Sequence, residues 1–320
     1  MRSAMSFRPC TEIEVHALRD LIGEDSVFAE AEVLKSYGSD ETEDLCFPPS
    51  VVVKPADATA VARILRFCFD SEIPVTPIGG RTGLSGGALS VYGGVGMSME
   101  RMNKIIHIDD KNLQVTVQPA VITQVLQEEV AKQGLYYPPD PSSRGSCFIG
   151  GNLAENAGGP RAVKYGVTKD FVLNLEVVLP HGEIIRTGAN TLKNSTGYNL
   201  TQLMVGSEGT LGIITEATLK LVPMPAHQLL MLVPFADPYQ ACEAVSAIFR
   251  AGITPSALEF MERDAIDWVL RFVDDVQVPV GEEVKAHLLI EVDGNHVEAL
   301  HADCEKIFSV MSAKGTSISN

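Results

Sequence analysis

The chain has 320 residues, of which 45% are hydrophobic and 21% are charged, as in ordinary globular domains. At roughly 100–200 residues per domain, this length predicts two or three domains. The 41 acidic and 25 basic residues give a net charge of -16, which repels phosphate backbones and argues against a nucleic-acid partner. No apolar run approaches the ~20 residues of a membrane-spanning helix, and the N-terminus lacks a signal-peptide core. We therefore expect a cytoplasmic protein without a transmembrane segment, attached to the inner membrane, if at all, through a partner.

The first predicted elements form a βαβ unit that ends in a glycine-rich loop. Val51–Val53 are β-branched and precede Pro55, which favours a strand. A helix is predicted over about Thr59–Ser71, with one apolar face made of Val61, Ile64, Leu65 and Cys68. A second strand, Ile73–Ile78, leads directly into Gly79–Gly87. Ligands of open α/β sheets bind at this carboxyl end of the strands.

Two more glycine-rich segments follow among predicted strands and helices. The predicted elements are a strand with Leu113, Val115 and Val117 alternating, a helix over Ile122–Val130, an irregular segment Tyr136–Ser143, a glycine segment Ile149–Pro160, a hairpin Phe171–Thr187 and a third glycine segment Gly206–Thr215. The six cysteines lie far apart without a CxxC pair. This spacing predicts reduced, mostly buried thiols rather than disulfides or a zinc site.

After Pro223 the predicted order of elements is that of a second domain. The elements are strand Leu229–Phe235, helix Tyr239–Ala251, strand Ser256–Met261, short helix Asp264–Val273, strand His287–Val292 and helix Val297–Met311. This is the split βαβ arrangement without its last strand. The polar end of the chain cannot easily supply that strand, so we expect the second domain to be cut short. Its unpaired edge would favour self-association, and a homodimer stays open.

The glycine segments favour binding of a long phosphate-containing ligand. Gly79–Gly87 has five glycines in nine residues, and a run of exposed backbone N–H groups forms a nest for phosphate oxygens. Neither GxxxxGK[ST] nor a helix-opening GxGxxG is present, so an ATPase loop and a dinucleotide turn are unsupported. Asn152 and Asn156 suit the pyrimidine edge of a flavin, and Glu208 suits a ribityl or ribose hydroxyl. The alternatives are a flexible linker for the first glycine segment, turn or cap residues for the two asparagines, and a surface carboxylate for Glu208.

Five segments together carry a more specific pattern. They are PIGGRTGLSGGAL (Pro77–Leu89), YPPDPSS (Tyr137–Ser143), IGGNLAENAGGP (Ile149–Pro160), VKYGVTKDFVLNLEVVLPHGEIIRTG (Val163–Gly188) and KNSTGYNLTQLMVGSEGTLGIITEATLKL (Lys193–Leu221). In this order and spacing the chain resembles FAD-linked oxidases of the glycolate oxidase GlcD and D-lactate dehydrogenase type. Ile78 and Arg81 depart from the resemblance, because many relatives have Arg and Gly there.

The resemblance implies an α+β fold: a PCMH-type FAD-binding domain of two subdomains, followed by an incomplete ferredoxin-like α/β cap domain. The implied domains are an N-terminal helical segment at 1–44, the FAD-binding domain at 45–222 and the truncated substrate or cap domain at 223–320. The first glycine segment would hold the pyrophosphate of non-covalent FAD. The second would line the isoalloxazine and ribityl groups, and the third would close the site.

The resemblance carries over to named positions in each segment. The first set is Pro77, Gly79, Gly80, Arg81, Thr82, Gly83, Leu84, Ser85, Gly86 and Gly87. The second set is Pro139, Asp140, Ser142, Ser143, Gly150, Gly151, Asn152, Asn156, Gly158, Gly159, Tyr165 and Gly166. The third set is Glu208, Gly209, Gly212, Ile213 and Ile214.

The implied reaction is oxidation of a 2-hydroxy acid such as D-lactate or glycolate, with hydride passing from the substrate Cα to flavin N5. A quinone, an electron-transfer flavoprotein or an iron–sulfur subunit would then take the electrons. Relatives carry their catalytic Glu-His pair and a histidine-rich motif for a divalent metal beyond the position of residue 320. We therefore predict no catalytic residue in this chain and expect it to be inactive by itself.

Other functions stay open at this point. A reductase of the UDP-N-acetylenolpyruvoylglucosamine type shares the fold but matches the segments poorly. A non-catalytic flavin-binding electron-transfer subunit, or an inactive fragment of a larger complex, is the alternative from another class. Asp293, His296, His301 and Cys304 superficially resemble a metal cluster, but the helical spacing of Val297, Leu300, Cys304 and Ile307 favours a packed helix. Which hydroxy acid and which acceptor are used is not encoded in these residues.

Overall fold

The computed structural model describes residues 7–274 and 281–312. Their strands are β1 Val27–Phe28, β2 Val51–Val53, β3 Val75–Ile78, β4 Val95–Ser98, β5 Ile105–Asp109, β6 Gln114–Val117, β7 Leu135–Tyr136, β8 Val172–Val178, β9 Ile184–Arg186, β10 Ile213–Lys220, β11 Val222–Pro223, β12 His227–Phe235, β13 Ala257–Glu262 and β14 Ala286–Gly294. Their α-helices are α1 Glu12–Ile22, α2 Ala31–Ser36, α3 Ala58–Asp70, α4 Thr123–Ala131, α5 Ile149–Glu155, α6 Ala162–Tyr165, α7 Leu200–Met204, α8 Pro238–Arg250, α9 Arg263–Phe272 and α10 Val297–Ser312. Two 3₁₀ turns, Glu24–Ser26 and Thr168–Phe171, complete the regular structure.

The chain divides into two compact units. The first contains the described residues up to Ala157 together with Val167–Pro223, and the second contains Gly158–Gly166 and the described residues from Met224 onward. The second unit therefore includes a nine-residue segment whose chain neighbours on both sides belong to the first.

The first sheet of the first unit has strand order β1-β2-β4-β3, with β2 and β3 both parallel to β4. Helix α3 connects β2 to β3 and starts at Asp57, whose carboxylate accepts a hydrogen bond from the Ala60 N–H at 2.8 Å. The predicted apolar face of this helix is confirmed, because its four residues are all buried. β3 ends at Ile78, so the first glycine segment leaves the sheet at a strand's carboxyl end, as predicted.

The second sheet is antiparallel, with strand order β5-β6-β10-β8-β9. Its β8–β9 pair is the predicted hairpin. The second glycine segment differs from a loop in its first half, because Ile149–Glu155 forms α5. Ile149 and Leu153 are four residues apart and fully buried, and this burial stabilises a helix despite two glycines in its first turn.

The second unit has a three-stranded antiparallel sheet of order β12-β14-β13. Alternate β14 residues, among them Leu288 and Ile290, form a buried core with Ile248 of α8 and Ile307 of α10. The observed order of strands and helices agrees with the order predicted from the sequence.

Two smaller predictions were wrong. All six cysteines are free thiols, but only Cys68 and Cys147 are buried, while Cys46 and Cys242 are exposed. Leu113 is not part of the predicted alternating strand, because its φ of 53° places it in the turn before β6. None of the helices in the described residues has the length and hydrophobicity of a membrane span.

Candidate cofactor site

A cavity of about 510 Å³ opens in the first unit where the three glycine-rich segments meet. Its volume lies within the range of small-molecule and cofactor sites. The predicted residues that line it are Pro77, Gly79, Gly80, Arg81, Thr82, Gly83, Leu84, Ser85, Gly87, Ser143, Gly150, Gly151, Asn152, Glu208, Gly209, Gly212, Ile213 and Ile214. The fold thus brings together positions more than 130 residues apart in the chain.

At three of the lining positions, nothing in the fold itself requires a glycine. A Cβ at Gly151 would meet nothing within 4 Å, and a Cβ at Gly79 or Gly83 would come no closer than 3.8 Å to any atom. None of the three has a φ in the left-handed region. Since neither packing nor backbone conformation requires glycine there, these positions leave free the space that a bound group would occupy against the main chain.

Other lining glycines are explained by close packing. A Cβ would lie 2.9 Å from the Ser146 carbonyl oxygen at Gly80 and 2.7 Å from the Pro119 Cβ at Gly150. At Gly209, where φ is +73°, it would lie 2.4 Å from the Pro77 Cγ. These three glycines allow the segments to approach one another, and in this way they shape the cavity.

The two asparagines of the second segment have different surroundings. The buried Asn152 lines the cavity, and its Nδ2 donates to the Thr123 Oγ1 at 2.6 Å. Asn156 ends α5 with a φ of 54°, and its Oδ1 accepts a hydrogen bond from the Lys169 N–H at 2.9 Å. Asn156 is therefore a cap residue, which agrees with the alternative interpretation of its sequence position.

The charged side chains that line the cavity, within the described part of the chain, are Asp40, Arg81, Glu155 and Glu208. The Arg81 guanidinium lies over the Tyr37 ring, 4.8 Å from its centroid, and donates a hydrogen bond to the Ser36 carbonyl oxygen. The pKa of Glu155 is raised by desolvation and then by the neighbouring Glu208 carboxylate. The cavity therefore combines neutral backbone donors with an excess of acidic side chains.

Comparison with known proteins accounts for both units. Residues 49–188 match the FAD binding domain family, and residues 224–318 match the family of FAD linked oxidases, C-terminal domain. The chain belongs to the FAD-linked oxidase family. FAD is thus the cofactor of this domain, and the open positions at Gly79, Gly83 and Gly151 fit a cofactor held against the backbone.

Curated relatives of this FAD-linked oxidase include two close matches. A D-lactate dehydrogenase of Anaerostipes hadrus is 43% identical over 83% of this chain and 57% of its own length. The glycolate oxidase subunit GlcD of Bacillus subtilis (strain 168) is 43% identical over 88% of this chain and 59% of its own length. The chain therefore spans less than two thirds of the length of these relatives.

Solved structures support the expected fold class. A structure of p-cresol methylhydroxylase with substrate bound superimposes with a TM-score of 0.80 over 94% of this chain and 64% of the other, at 20% identity. An alkyldihydroxyacetonephosphate synthase superimposes with a TM-score of 0.81 over 98% of this chain and 63% of the other, at 19% identity. At this identity the likeness concerns the fold alone, and it confirms the α+β PCMH-type FAD-binding architecture.

Some predicted positions of this FAD-linked oxidase do not line the cavity. Those in the first unit are Gly86, Pro139, Asp140, Ser142 and Asn156. Those in the second unit are Gly158, Gly159, Tyr165 and Gly166. The Pro139 carbonyl oxygen accepts a hydrogen bond from the Gln127 Nε2 at 3.0 Å, and Gly86 has a φ of 74°. Pro139 and Gly86 therefore contribute to the local backbone structure next to the cavity.

The cavity also has walls that were not predicted. They are Asp40, Ile78, Ala88, Met99, Pro119, Pro141, Cys147, Phe148, Ala154, Glu155, Ala157 and Ser207. Glu155 lies inside the second glycine segment, so its place next to Asn156 was a usable signal. Asp40, Met99 and Pro119 lie outside the three segments, and no sequence pattern marks them.

The segment Gly158–Gly166 joins the second unit through partly buried polar contacts. The Tyr165 hydroxyl donates to the Asp293 Oδ2 at 2.7 Å, and the Lys164 ammonium pairs with the same carboxylate. The Arg161 Nη2 lies 3.7 Å from the Glu291 Oε1. Asp293 is therefore a partner in an ion pair. No group of three or more metal-ligating side chains occurs in residues 7–274 and 281–312. Leu300 and Ile307 of α10 are buried in the core of the second unit, which agrees with the packed-helix interpretation.

Proposed function

We propose that this chain is the flavin-binding part of an FAD-dependent dehydrogenase or oxidase that acts on a 2-hydroxy acid such as D-lactate or glycolate. The observation that supports it most is the cavity of the first unit, where Gly79, Gly83 and Gly151 keep the backbone open. Two of its relatives, a D-lactate dehydrogenase and a glycolate oxidase subunit, support the substrate class.

FAD, when bound, supplies the acceptor for the hydride that leaves the Cα of the hydroxy acid. The residues of this chain would bind and orient the cofactor. The backbone of Gly79–Gly83 and the hydroxyls of Thr82 and Ser85 would donate hydrogen bonds to its phosphates. Asn152 is held in position by Thr123 before any ligand arrives, so its amide is preorganised at the cavity wall.

No residue of this chain is assigned the role of catalytic base. The same proposal has three further parts. The protein binds a hydroxy acid, it passes the electrons to a quinone, an electron-transfer flavoprotein or an iron–sulfur subunit, and it is located in the cytoplasm. A flavin-binding electron-transfer subunit remains the competing function, and the experiment below separates the two.

The cofactor is tested first, from the visible spectrum of the purified chain and from identification of the chromophore that denaturation releases. Two flavin absorption bands and released FAD are expected. If the protein is colourless and does not take up added FAD, the proposed function is wrong.

The substrate class is tested with a chimera, because FAD binding alone does not distinguish the two functions. The whole of this chain is joined to the part of the Anaerostipes hadrus D-lactate dehydrogenase that follows the region it matches. If the proposal holds, D-lactate bleaches the flavin of the FAD-loaded chimera under anaerobic conditions. A chimera that binds FAD and is not bleached, while the parent enzyme is, favours the electron-transfer subunit.

A further inference from the structure

The acidic side chains of the cavity lie where they would meet the phosphates of the cofactor. Glu155 is the last residue of α5, and its Oε1 lies 3.5 Å from the Ser85 Oγ of the first glycine segment. A Cβ at Gly87 would lie 3.3 Å from the Glu155 Oε1 and 3.8 Å from the Glu208 Oε2. The two carboxylates therefore flank the segment that is proposed to hold the pyrophosphate.

The backbone holds these two carboxylates in place. The Gly206 N–H donates to the Leu153 carbonyl oxygen at 2.9 Å, and the Glu208 N–H donates to the Ala154 carbonyl oxygen at 3.0 Å. The third glycine segment is thus bonded to the last turn of α5. Glu208 itself has a φ of 51°, a conformation that non-glycine residues rarely adopt. These bonds keep the backbone of Glu208 next to the end of α5, so both carboxylates start from neighbouring positions at the cavity wall.

The other charged groups of the cavity do not neutralise the pair. Asp40 adds a third negative charge and raises the pKa of Glu155 further, whereas the Ser85 hydroxyl lowers it. Arg81, the only cation among the described lining residues, is engaged with Tyr37 and Ser36. No histidine lines the cavity in the described part of the chain.

A dianionic pyrophosphate is repelled by neighbouring carboxylates, and protonation of one of them reduces this repulsion. We propose that FAD binds to this chain together with one proton, which resides on Glu155 and lets its carboxyl group donate a hydrogen bond to the cofactor. Burial of Glu155 and then the neighbouring Glu208 carboxylate favour protonation of Glu155 rather than its ionisation. The inference rests on the proposed function, because it needs FAD in this cavity.

The sign of the pH dependence follows from the pKa of Glu155. The group binds the proton more tightly in the complex than in the free protein, so FAD affinity is greatest at low pH and falls as pH rises. Uptake of one proton makes the dissociation constant rise up to about tenfold per pH unit between the two pKa values.

The test is an FAD titration followed by flavin fluorescence, at several pH values from about 4.5, near the ordinary pKa of a glutamate, to about 8. Proton uptake is measured in parallel by calorimetry in two buffers of different ionisation enthalpy. For the unaltered chain we expect FAD binding to weaken as pH rises, by up to about tenfold per pH unit where the proton is taken up, with uptake of up to one proton. Glu155→Gln should bind at the upper pH as tightly as the unaltered chain does at the lower one, without proton uptake.

Two further variants make the outcome specific. Glu128→Gln, on the exposed face of α4, should keep the full pH dependence. Glu208→Gln should shift proton uptake to lower pH, because the repelling charge is gone. Binding that is tight and independent of pH overturns the inference while the proposed function stands, and a pH dependence that survives in Glu155→Gln overturns the assignment to Glu155. Absence of FAD binding at every pH means that the proposed function itself has failed.

Discussion

Substituting alanine for Gly151 should stabilise the protein and weaken its cofactor binding at the same time. Gly151 lies inside α5, and an added Cβ would meet no atom within 4 Å. Its φ is outside the left-handed region, so alanine fits the observed backbone. Replacing glycine by alanine inside a helix is worth about 0.5–1 kcal/mol, because the unfolded chain loses freedom.

The cost appears only when FAD is present. The new methyl group would stand in the open space of the cavity wall and keep the cofactor away from the backbone N–H groups. Loss of one hydrogen bond to an uncharged part of the cofactor costs about 0.5–1.5 kcal/mol, which corresponds to roughly 2- to 10-fold weaker binding. For a unit of this size, the stabilisation should raise the melting temperature of the FAD-free protein by about 1–4 °C.

The assay combines thermal unfolding of the FAD-free protein with an FAD titration. The matched control is Gly150→Ala, one residue earlier in the same helix. Its Cβ would lie 2.7 Å from the Pro119 Cβ, so overpacking should destabilise the protein by about 1–3 kcal/mol. If Gly151→Ala binds FAD as tightly as the unaltered chain, Gly151 does not make room for the cofactor and the reasoning from open glycines is refuted.

Three more predictions test separate parts of the molecule. Arg81 has a φ of 58°, so Arg81→Gly should be about 1 kcal/mol more stable than Arg81→Ala in urea unfolding; equal stabilities would show that this conformation carries no strain. Burial raises the pKa of the Cys68 thiol to about 12. A disulfide reagent at mildly alkaline pH should therefore modify the exposed Cys46 and Cys242 first, and Cys68 only after unfolding. Mass spectrometry of the labelled peptides measures this order. Lys164→Met leaves the buried Asp293 without its cation and should lower the free energy of unfolding of the second unit by about 3 kcal/mol, measured by thermal unfolding. The control Lys132→Met, at an exposed pair, should lower it by less than about 1 kcal/mol. Similar losses would contradict a buried ion pair.

Much of this protein could be predicted from its sequence, because the relevant signals are local. The spacing of Val61, Ile64, Leu65 and Cys68 predicts the face that α3 buries, and the elements after Pro223 follow from their own periodicity and turn residues. The order of the three glycine segments, with their flanking residues, was specific enough to indicate the family. The conformation of α5 was not predicted, because glycines in its first turn disguise a helix that the burial of Ile149 and Leu153 stabilises.

The tertiary structure was needed wherever a residue's role depends on atoms distant in the chain. Gly150 and Gly151 are equivalent in the sequence and both line the cavity, yet a Cβ would overlap Pro119 at Gly150 and would meet no atom at Gly151. The acidic excess of the cavity arises because Asp40, Glu155 and Glu208 come from three separate parts of the first unit, while Arg81 turns onto Tyr37. Likewise, Gly158–Gly166 belongs to the second unit through contacts with β14 that no local pattern encodes. Periodicity and turn chemistry act over a few residues and therefore determine elements, whereas packing across the chain determines which of their atoms meet.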